Sequence, residues 1–197
     1  MRTTRAALRS AYRGALETLD VIVARDPSVT GRAEALLHPT ALVVAGHRVG
    51  HALHRAGRRR SARAVSALTK VLSGGVEIHP GAEIGRRFFI DHGAGTVIGE
   101  TAVIGDDVSV FHQVTLGSLG WWNDRARESG ERRHPKLGNG VTVGAAATLL
   151  GPITIGDDAL IGATALVMTD VPKGARAHAP QALVDNRMPT MDWEGEQ

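Results

Sequence analysis

Residues 75–118 read GVEIHPGAEIGRRFFIDHGAGTVIGETAVIGDDVSVFHQVTLGS, and within them an aliphatic side chain returns every six positions. The series is Ile78, Ile84 and Ile90, then, after a two-residue insertion, Ile98, Ile104, Val110 and Leu116. After 21 residues it resumes as Leu137, Val143, Leu149, Ile155, Ile161 and Val167. Ten of these thirteen positions carry Ala, Val or Thr two residues earlier, and eight are followed directly by Gly. A period of six suits neither an α-helix nor an alternating strand. It suits a chain that makes a short strand, turns a corner and repeats, three faces closing one coil. The branched aliphatic then fills the interior, the small residue fits beside it, and glycine relieves the corner. The fold predicted is mainly β, a left-handed parallel β-helix whose coils bury their inner faces only by stacking on one another.

Outward from this stretch the texture changes. Leu8, Tyr12, Leu16, Leu19 and Val23 recur at helical spacing, Arg25-Asp26-Pro27-Ser28 breaks the pattern, and a second helical region covers roughly 40–72. Three parts follow: an N-terminal helical region over 1–73, the β-helix over 74–172, and an irregular, loosely ordered tail over 173–197. The chain has 197 residues, 24 glycines, no cysteine and a formal charge of +3. Absence of cysteine excludes a disulfide framework, a thiolate metal site and a cysteine nucleophile. No apolar run suits a signal peptide or a membrane span, so a cytoplasmic protein with no membrane association is expected. Arg55, Arg58, Arg59, Arg60 and Arg63 form a basic cluster. It reads as a solvated helix face, with an anionic ligand or nucleic acid as the alternatives; no aromatic residue interleaves, which weakens the nucleic-acid reading.

Two interruptions of the period carry the chemistry. Asp91-His92-Gly93 follows Ile90 where glycine is expected, so a carboxylate and an imidazole project from a corner. Imidazole takes and returns a proton near neutral pH, which makes His92 a candidate general base; the alternative is a hydrogen-bonded corner histidine. The 21-residue interval holds Trp121, Trp122 and Arg132-Arg133-His134-Pro135. Guanidinium there suits a carboxylate-bearing substrate; the alternative is an exposed loop with no role. His47, His51 and His54 share helical spacing without a metalloprotease glutamate, so they are read as packing or surface residues and no metal is expected.

The segment 75–118, with its IDHG and GETAVIG runs, resembles the signature region of serine O-acetyltransferases. RRHPKLGNGVTVGAAATLLG (132–151) is similar to that family's next block, and Arg25-Asp26-Pro27 and His47-Arg48 match its helical region. The resemblance covers residues 20–175. It implies transfer of acetyl from acetyl-CoA to the hydroxyl of L-serine, the step before cysteine synthesis. It further implies His92 as general base, with Glu77, where the family has Asp, as its partner carboxylate. Arg133 would grip the serine carboxylate, with His134 beside it, and Asp91 with Asp26 would attract the ammonium. The pantetheine arm would meet backbone near Gly117, Ser118, Ala145 and Ala163, between the β-helices of a homotrimer.

Three departures qualify these expectations. The helical region is short for pairing trimers into hexamers, so a trimer is expected and a hexamer remains possible. The loop from Gly117 to Arg132 is long and carries two tryptophans, which admits an acceptor other than serine, such as homoserine. The chain ends in Gln197 rather than isoleucine, so C-terminal docking to cysteine synthase is not expected. A non-catalytic trimeric scaffold is the third alternative.

Overall fold

The computed structural model describes residues 2–183 apart from Ala126 and Ser129, and side chains from Arg13 onward apart from Asn123. Four helices come first: α1 (Arg2–Arg25), α2 (Arg32–Ala35), α3 (Pro39–Arg55) and α4 (Arg59–Leu72). The break after α1 falls where Pro27 predicts it, and Asp26 stabilises the turn by accepting from Ser28 N–H at 2.9 Å and Ser28 Oγ at 2.7 Å. Of the expected α1 stripe, Leu19 is buried with Ile22 against Val29, Ala35 and Phe89; Leu8 and Tyr12 lie outside the described side chains.

The second helical region is not continuous over 40–72. Gly57 takes a φ of +74°, a left-handed conformation that terminates α3 and lets α4 turn back along it. The two helices approach closely because Gly46 has no side chain; a Cβ there would overlap Thr69.

The β-helix has five coils. The first is β1 (Glu77–Ile78), β2 (Glu83–Ile84) and β3 (Phe89–Ile90); the second is β4 (Val97–Ile98), β5 (Val103–Ile104) and β6 (Ser109–Val110). The third starts with β7 (Thr115–Gly117), makes the short helix α5 (Trp121–Asp124), and finishes with β8 (Lys136–Leu137) and β9 (Thr142–Val143). The fourth is β10 (Thr148–Leu150), β11 (Thr154–Ile155) and β12 (Leu160–Ile161); the last holds β13 (Leu166–Val167) and β14 (Arg176–Ala177). The three parallel faces run β1-β4-β7-β10-β13, β2-β5-β8-β11 and β3-β6-β9-β12-β14. They are called A, B and C below.

Register shows what the six-residue period encodes. On face A, Ile78 pairs with Ile98, Ile98 with Leu116, Leu116 with Leu149 and Leu149 with Val167. Face B stacks Ile84, Ile104, Leu137 and Ile155 in the same way, and face C stacks Ile90, Val110, Val143 and Ile161. The thirteen periodic positions therefore form three interior columns, all buried except Ile84, which is half-buried. Burying such a side chain contributes about 1.5–3 kcal/mol before ordering costs. Val43 and Val44 of α3 join this core, so the helices close the end of the prism at the first coil.

Two sequence expectations are corrected. The tail is not irregular from residue 173: β14 extends face C, and Val171 bridges to Ile155. Residues 184–197, with Trp193 and the Gln197 terminus, lie outside the described residues. Secondly, the glycine after the core aliphatic does not supply the left-handed corner. Its lack of a side chain allows close coil approach: a Cβ on Gly105 would lie 2.7 Å from the Gly138 carbonyl, and one on Gly144 would lie 2.6 Å from Ala163 N. Positive φ falls later in each turn, at Asp107, Gln113, Ala146, Asp158 and Thr164.

The edge between faces B and C is held by a side-chain ladder. Arg86 N–H donates to Asp106 Oδ1 at 2.7 Å, Asp106 N–H to Asn139 Oδ1 at 2.8 Å, and Asn139 N–H to Asp157 Oδ1 at 2.8 Å. Each coil thus satisfies a backbone donor of the preceding one, at a corner where no strand pairing is available.

Candidate active site

At the edge between faces C and A the two-residue insertion enlarges the corner after β3. His92 (φ 59°), Gly93 (φ 69°) and Gly95 (φ 73°) are all left-handed, and Gly93 N–H donates to Asp91 O at 2.7 Å. A Cβ on Gly93 would lie 2.8 Å from Val76 Cγ2, so glycine is needed where the corner meets the start of β1. This conformation turns His92 outward with its side chain 79 % exposed, the Nε2 lying 3.7 Å from Asp91 Oδ1. The ring of His112, one coil further, is edge-on to His92 at 6.1 Å.

The same edge continues up the prism. Gln113 N–H donates to Ala94 O, Ala146 N–H to His112 O, and Thr164 N–H to Ala145 O. His92, Ala145 and Ala163 therefore share one edge, rising by about 4.8 Å per coil. Beyond His112 the edge carries only the small side chains of Ala145 and Ala163 at the corresponding positions.

The helices hold Asp26 beside His38 over face C. Arg25 pins the end of α1 to the second coil, donating to Ser109 Oγ at 2.8 Å, Asp107 O at 3.1 Å and Val108 O at 3.3 Å. Asp26 Oδ2 sits 3.3 Å from His38 Nε2, whose ring stacks on Phe89 at 5.7 Å. Thr40 Oγ1 donates to Ile90 O at 2.6 Å, tying α3 to the residue before Asp91. The Ser28 side-chain and backbone hydrogen bonds, with His38 assisting, hold the Asp26 carboxyl below the usual carboxylate range.

Glu77 lies on β1, paired with Val97 across face A, and its carboxylate accepts from Lys70 Nζ at 2.5 Å. Among the described residues no hydrogen bond or ion pair joins Glu77 to His92.

Arg133 and His134 occupy a different edge, between faces A and B, where the long interval returns to β8. Gly99-Glu100-Thr101 of the coil below organises them. Glycine at 99 admits the His134 ring, which a Cβ would overlap. Glu100 Oε2 accepts from Arg133 Nη2 at 2.6 Å. Thr101 Oγ1 accepts from the N–H of Arg133 at 2.9 Å and of His134 at 3.1 Å. With both lone pairs occupied, the Thr101 hydroxyl donates its own proton to His134 Nδ1 at 2.9 Å, and Thr101 N–H donates to the same atom at 3.2 Å. Nδ1 is the acceptor, so the ring proton of neutral His134 is on Nε2, where it can be donated to a ligand. Burial, reinforced by the Arg133 charge, pushes the His134 pKa down and favours that neutral form.

Arg132 is structural: it donates to the carbonyls of Pro152, Ile153 and His134 at 2.6, 2.8 and 3.0 Å. Arg133 and His134 line a cavity of about 430 Å³ with Ser118, Trp121, Asp124 and Arg125. That volume lies within the range of about 300–1,000 Å³ that small-molecule sites occupy. Arg125 lies 4.2 Å over the Trp121 ring.

The structure thus places His92, Asp91, Ala145 and Ala163 on one edge and Gly117, Ser118, Arg133 and His134 on another, with Asp26 held beside His38 over face C. Among the described residues no three His, Cys, Asp or Glu side chains converge as a metal site, and no helix is long and apolar enough to cross a membrane. His47, His51 and His54 pack on the seam between helices and β-helix. His47 is buried, and His51 Nδ1 lies 3.0 Å from Pro80 O. Glu100, Thr101, Asp124 and His38 were not singled out from sequence. Glu100-Thr101 carried a signal, a polar pair directly after a core aliphatic and its glycine.

No protein-family model matches the chain. It is 46 % identical to the serine acetyltransferase of Helicobacter pylori over 166 residues, 84 % of this chain and 92 % of that one. This chain belongs to the serine acetyltransferase family. The Mycobacterium tuberculosis serine acetyltransferase is 48 % identical over 152 residues, covering 77 % of this chain and 63 % of that protein. Among solved structures, soybean serine acetyltransferase complexed with serine superposes with a TM-score of 0.77 at 40 % identity, covering 85 % of this chain and 66 % of that one. The chain therefore spans nearly all of the H. pylori relative but about two thirds of the soybean structure.

Proposed function

We propose that the protein transfers acetyl from acetyl-CoA to the hydroxyl of L-serine, giving O-acetylserine and CoA. The observation that carries the reading is the exposed His92 beside Asp91 at the enlarged corner, in a chain of this family. His92 removes the serine hydroxyl proton as the oxygen attacks the thioester carbonyl. The tetrahedral intermediate collapses with loss of the CoA thiolate, to which the imidazolium returns the proton. Asp26 and Asp91 attract the serine ammonium, and Arg133 receives its carboxylate, with His134 Nε2–H as a further donor. Glu77 holds Lys70 through Oε2, which leaves Oε1 to orient the His92 ring, whereas Asp91 is already 3.7 Å from that ring. The pantetheine arm follows the edge of Ala145 and Ala163 on one chain and meets Gly117 and Ser118 on another.

That division favours a homotrimer. His92 and Arg133 lie on different edges of the same prism, so one serine can touch both only where two chains meet. Acetyl-CoA as donor supports a cytoplasmic reaction. A second reading keeps the chemistry and changes the acceptor: Trp121 and the cavity of about 430 Å³ beside Arg133 favour an amino acid larger than serine.

The test is release of free CoA thiol from acetyl-CoA with serine, homoserine, threonine or no acceptor, with His92→Ala as control. Serine-dependent release that the variant loses is expected. Release with another acceptor alone selects the second reading, and release with none refutes both.

A further inference from the structure

His112 stands in the same column as His92. The second residue after each inner aliphatic of face C is His92, His112, Ala145 and Ala163 in turn, so His112 lies one coil, about 4.8 Å, beyond His92. A chain running down this edge past Ala163 and Ala145 meets His112 before it reaches His92. The two rings are 6.1 Å apart between centroids and inclined by 72°. A single tetrahedral carbon spans that separation with one oxygen toward each ring. Among the described residues neither nitrogen of His112 has a hydrogen-bond partner, and Nδ1 is buried. A neutral imidazole carries one ring proton. It belongs on Nε2, which is not sealed off, because a buried N–H without an acceptor is a costly orphan.

We propose that His112 is a further catalytic residue, whose Nε2–H donates to the thioester carbonyl oxygen as that oxygen becomes an oxyanion. The proposal rests on the reading of His92 as general base. Serine Oγ loses its proton to His92 and bonds to the carbonyl carbon, and the C=O π pair moves onto oxygen, where the His112 N–H meets it. When that pair returns, the C–S bond breaks and the departing thiolate takes the proton from His92. His112 keeps its own proton throughout. A donor of this kind is effective when it is fixed before the charge develops. The backbone at His112 meets that condition. Ala146 N–H donates to His112 O at 2.9 Å, Phe111 N–H to Val143 O at 3.0 Å and Gln113 N–H to Ala94 O at 2.9 Å. The buried Thr96 adds a bond from Oγ1 to Phe111 O at 3.1 Å.

The test is steady-state kinetics on the full chain with serine and acetyl-CoA, comparing His112→Phe, His112→Gln and His92→Ala. His112→Phe keeps a flat ring and removes the donor, and kcat is expected to fall by about 10²- to 10³-fold, the loss for one oxyanion donor, with both KM values little changed. His112→Gln restores an N–H donor and should recover part of that loss, which a role in packing alone would not predict. A wild-type kcat in His112→Phe, or equal losses in the Phe and Gln variants, would overturn the proposal. So would a raised acetyl-CoA KM with kcat retained, since His112 would then contact the pantetheine arm in the ground state only. An inactive His92→Ala beside any of these results leaves the reading of His92 intact, whereas an active His92→Ala overturns that reading and the proposal with it.

Discussion

Lowering the pH from 8 to 5 should cost the fold about 2 kcal/mol through His47 alone. The side chain is 6 % exposed, both ring nitrogens lack a hydrogen-bond partner among the described residues, and the ring borders a void of about 10 Å³ with Val43, Gly46, Thr69 and Val76 among its neighbours. Burial, with Arg48 adjacent, lowers the His47 pKa to about 3. In the unfolded chain the same group returns to about 6.5. Between those values the unfolded state binds a proton that the native state refuses, so stability is complete above pH 6.5 and falls as the pH drops. At pH 5 the interval already crossed is about 1.5 units, and each unit is worth about 1.36 kcal/mol. His79, lowered to about 4 chiefly by burial, acts in the same direction. Urea unfolding at pH 8 and pH 5, at one protein concentration, measures the loss. His47→Leu fills the site with a side chain that cannot titrate and should reduce the pH-dependent loss by about 2 kcal/mol. An equal loss in wild type and variant, or an NMR titration of His47 centred near 6.5, would refute the argument.

Three further outcomes follow from the geometry. His92→Ala should lower kcat by about 10²- to 10⁴-fold while leaving the circular dichroism spectrum and oligomer size unchanged, since the side chain is exposed; an active variant would remove His92 from the mechanism. Gly99→Ala should displace His134 and raise the acceptor KM, and wild-type kinetics would show that the His134 ring is not confined there. Arg25→Ala removes the hydrogen bonds that pin α1 to Asp107, Val108 and Ser109 and should destabilise by about 1–3 kcal/mol, read as a lower urea midpoint; an unchanged midpoint would mean that α1 is held by its apolar contacts alone.

The fold was legible because its period is a consequence of stacking. Ile78, Ile98, Leu116, Leu149 and Val167 must meet in one column, and a missed step would expose every later member. The helical region was less so: Gly57 ends α3 through a backbone conformation, which an apolar stripe running on both sides of it conceals. The glycine rule was right in position and wrong in cause, since close approach and positive φ leave the same letter in a sequence. Of the site, Asp91-His92 announced itself by breaking the repeat. Glu100 did not, because its contact with Arg133 depends on which residue of a distant loop folds onto it. The split of His92 and Arg133 between two edges was equally invisible, since sequence order does not state which face a corner closes.

The ladder from Arg86 through Asp106 and Asn139 to Asp157 bears on how this chain can change length. Every rung repeats one donor and one acceptor, so a whole coil can be gained or lost while each remaining amide still finds an oxygen in the coil above it. A partial coil cannot, because it would rotate every later corner by a third of a turn and set ladder residues against strand faces. The long interval before β8 obeys the same restriction in another way. It leaves the prism at a corner and returns to that corner, adding residues without adding rotation. Change in this architecture is therefore quantised along the axis and unrestricted sideways, at the edges where ligands are met.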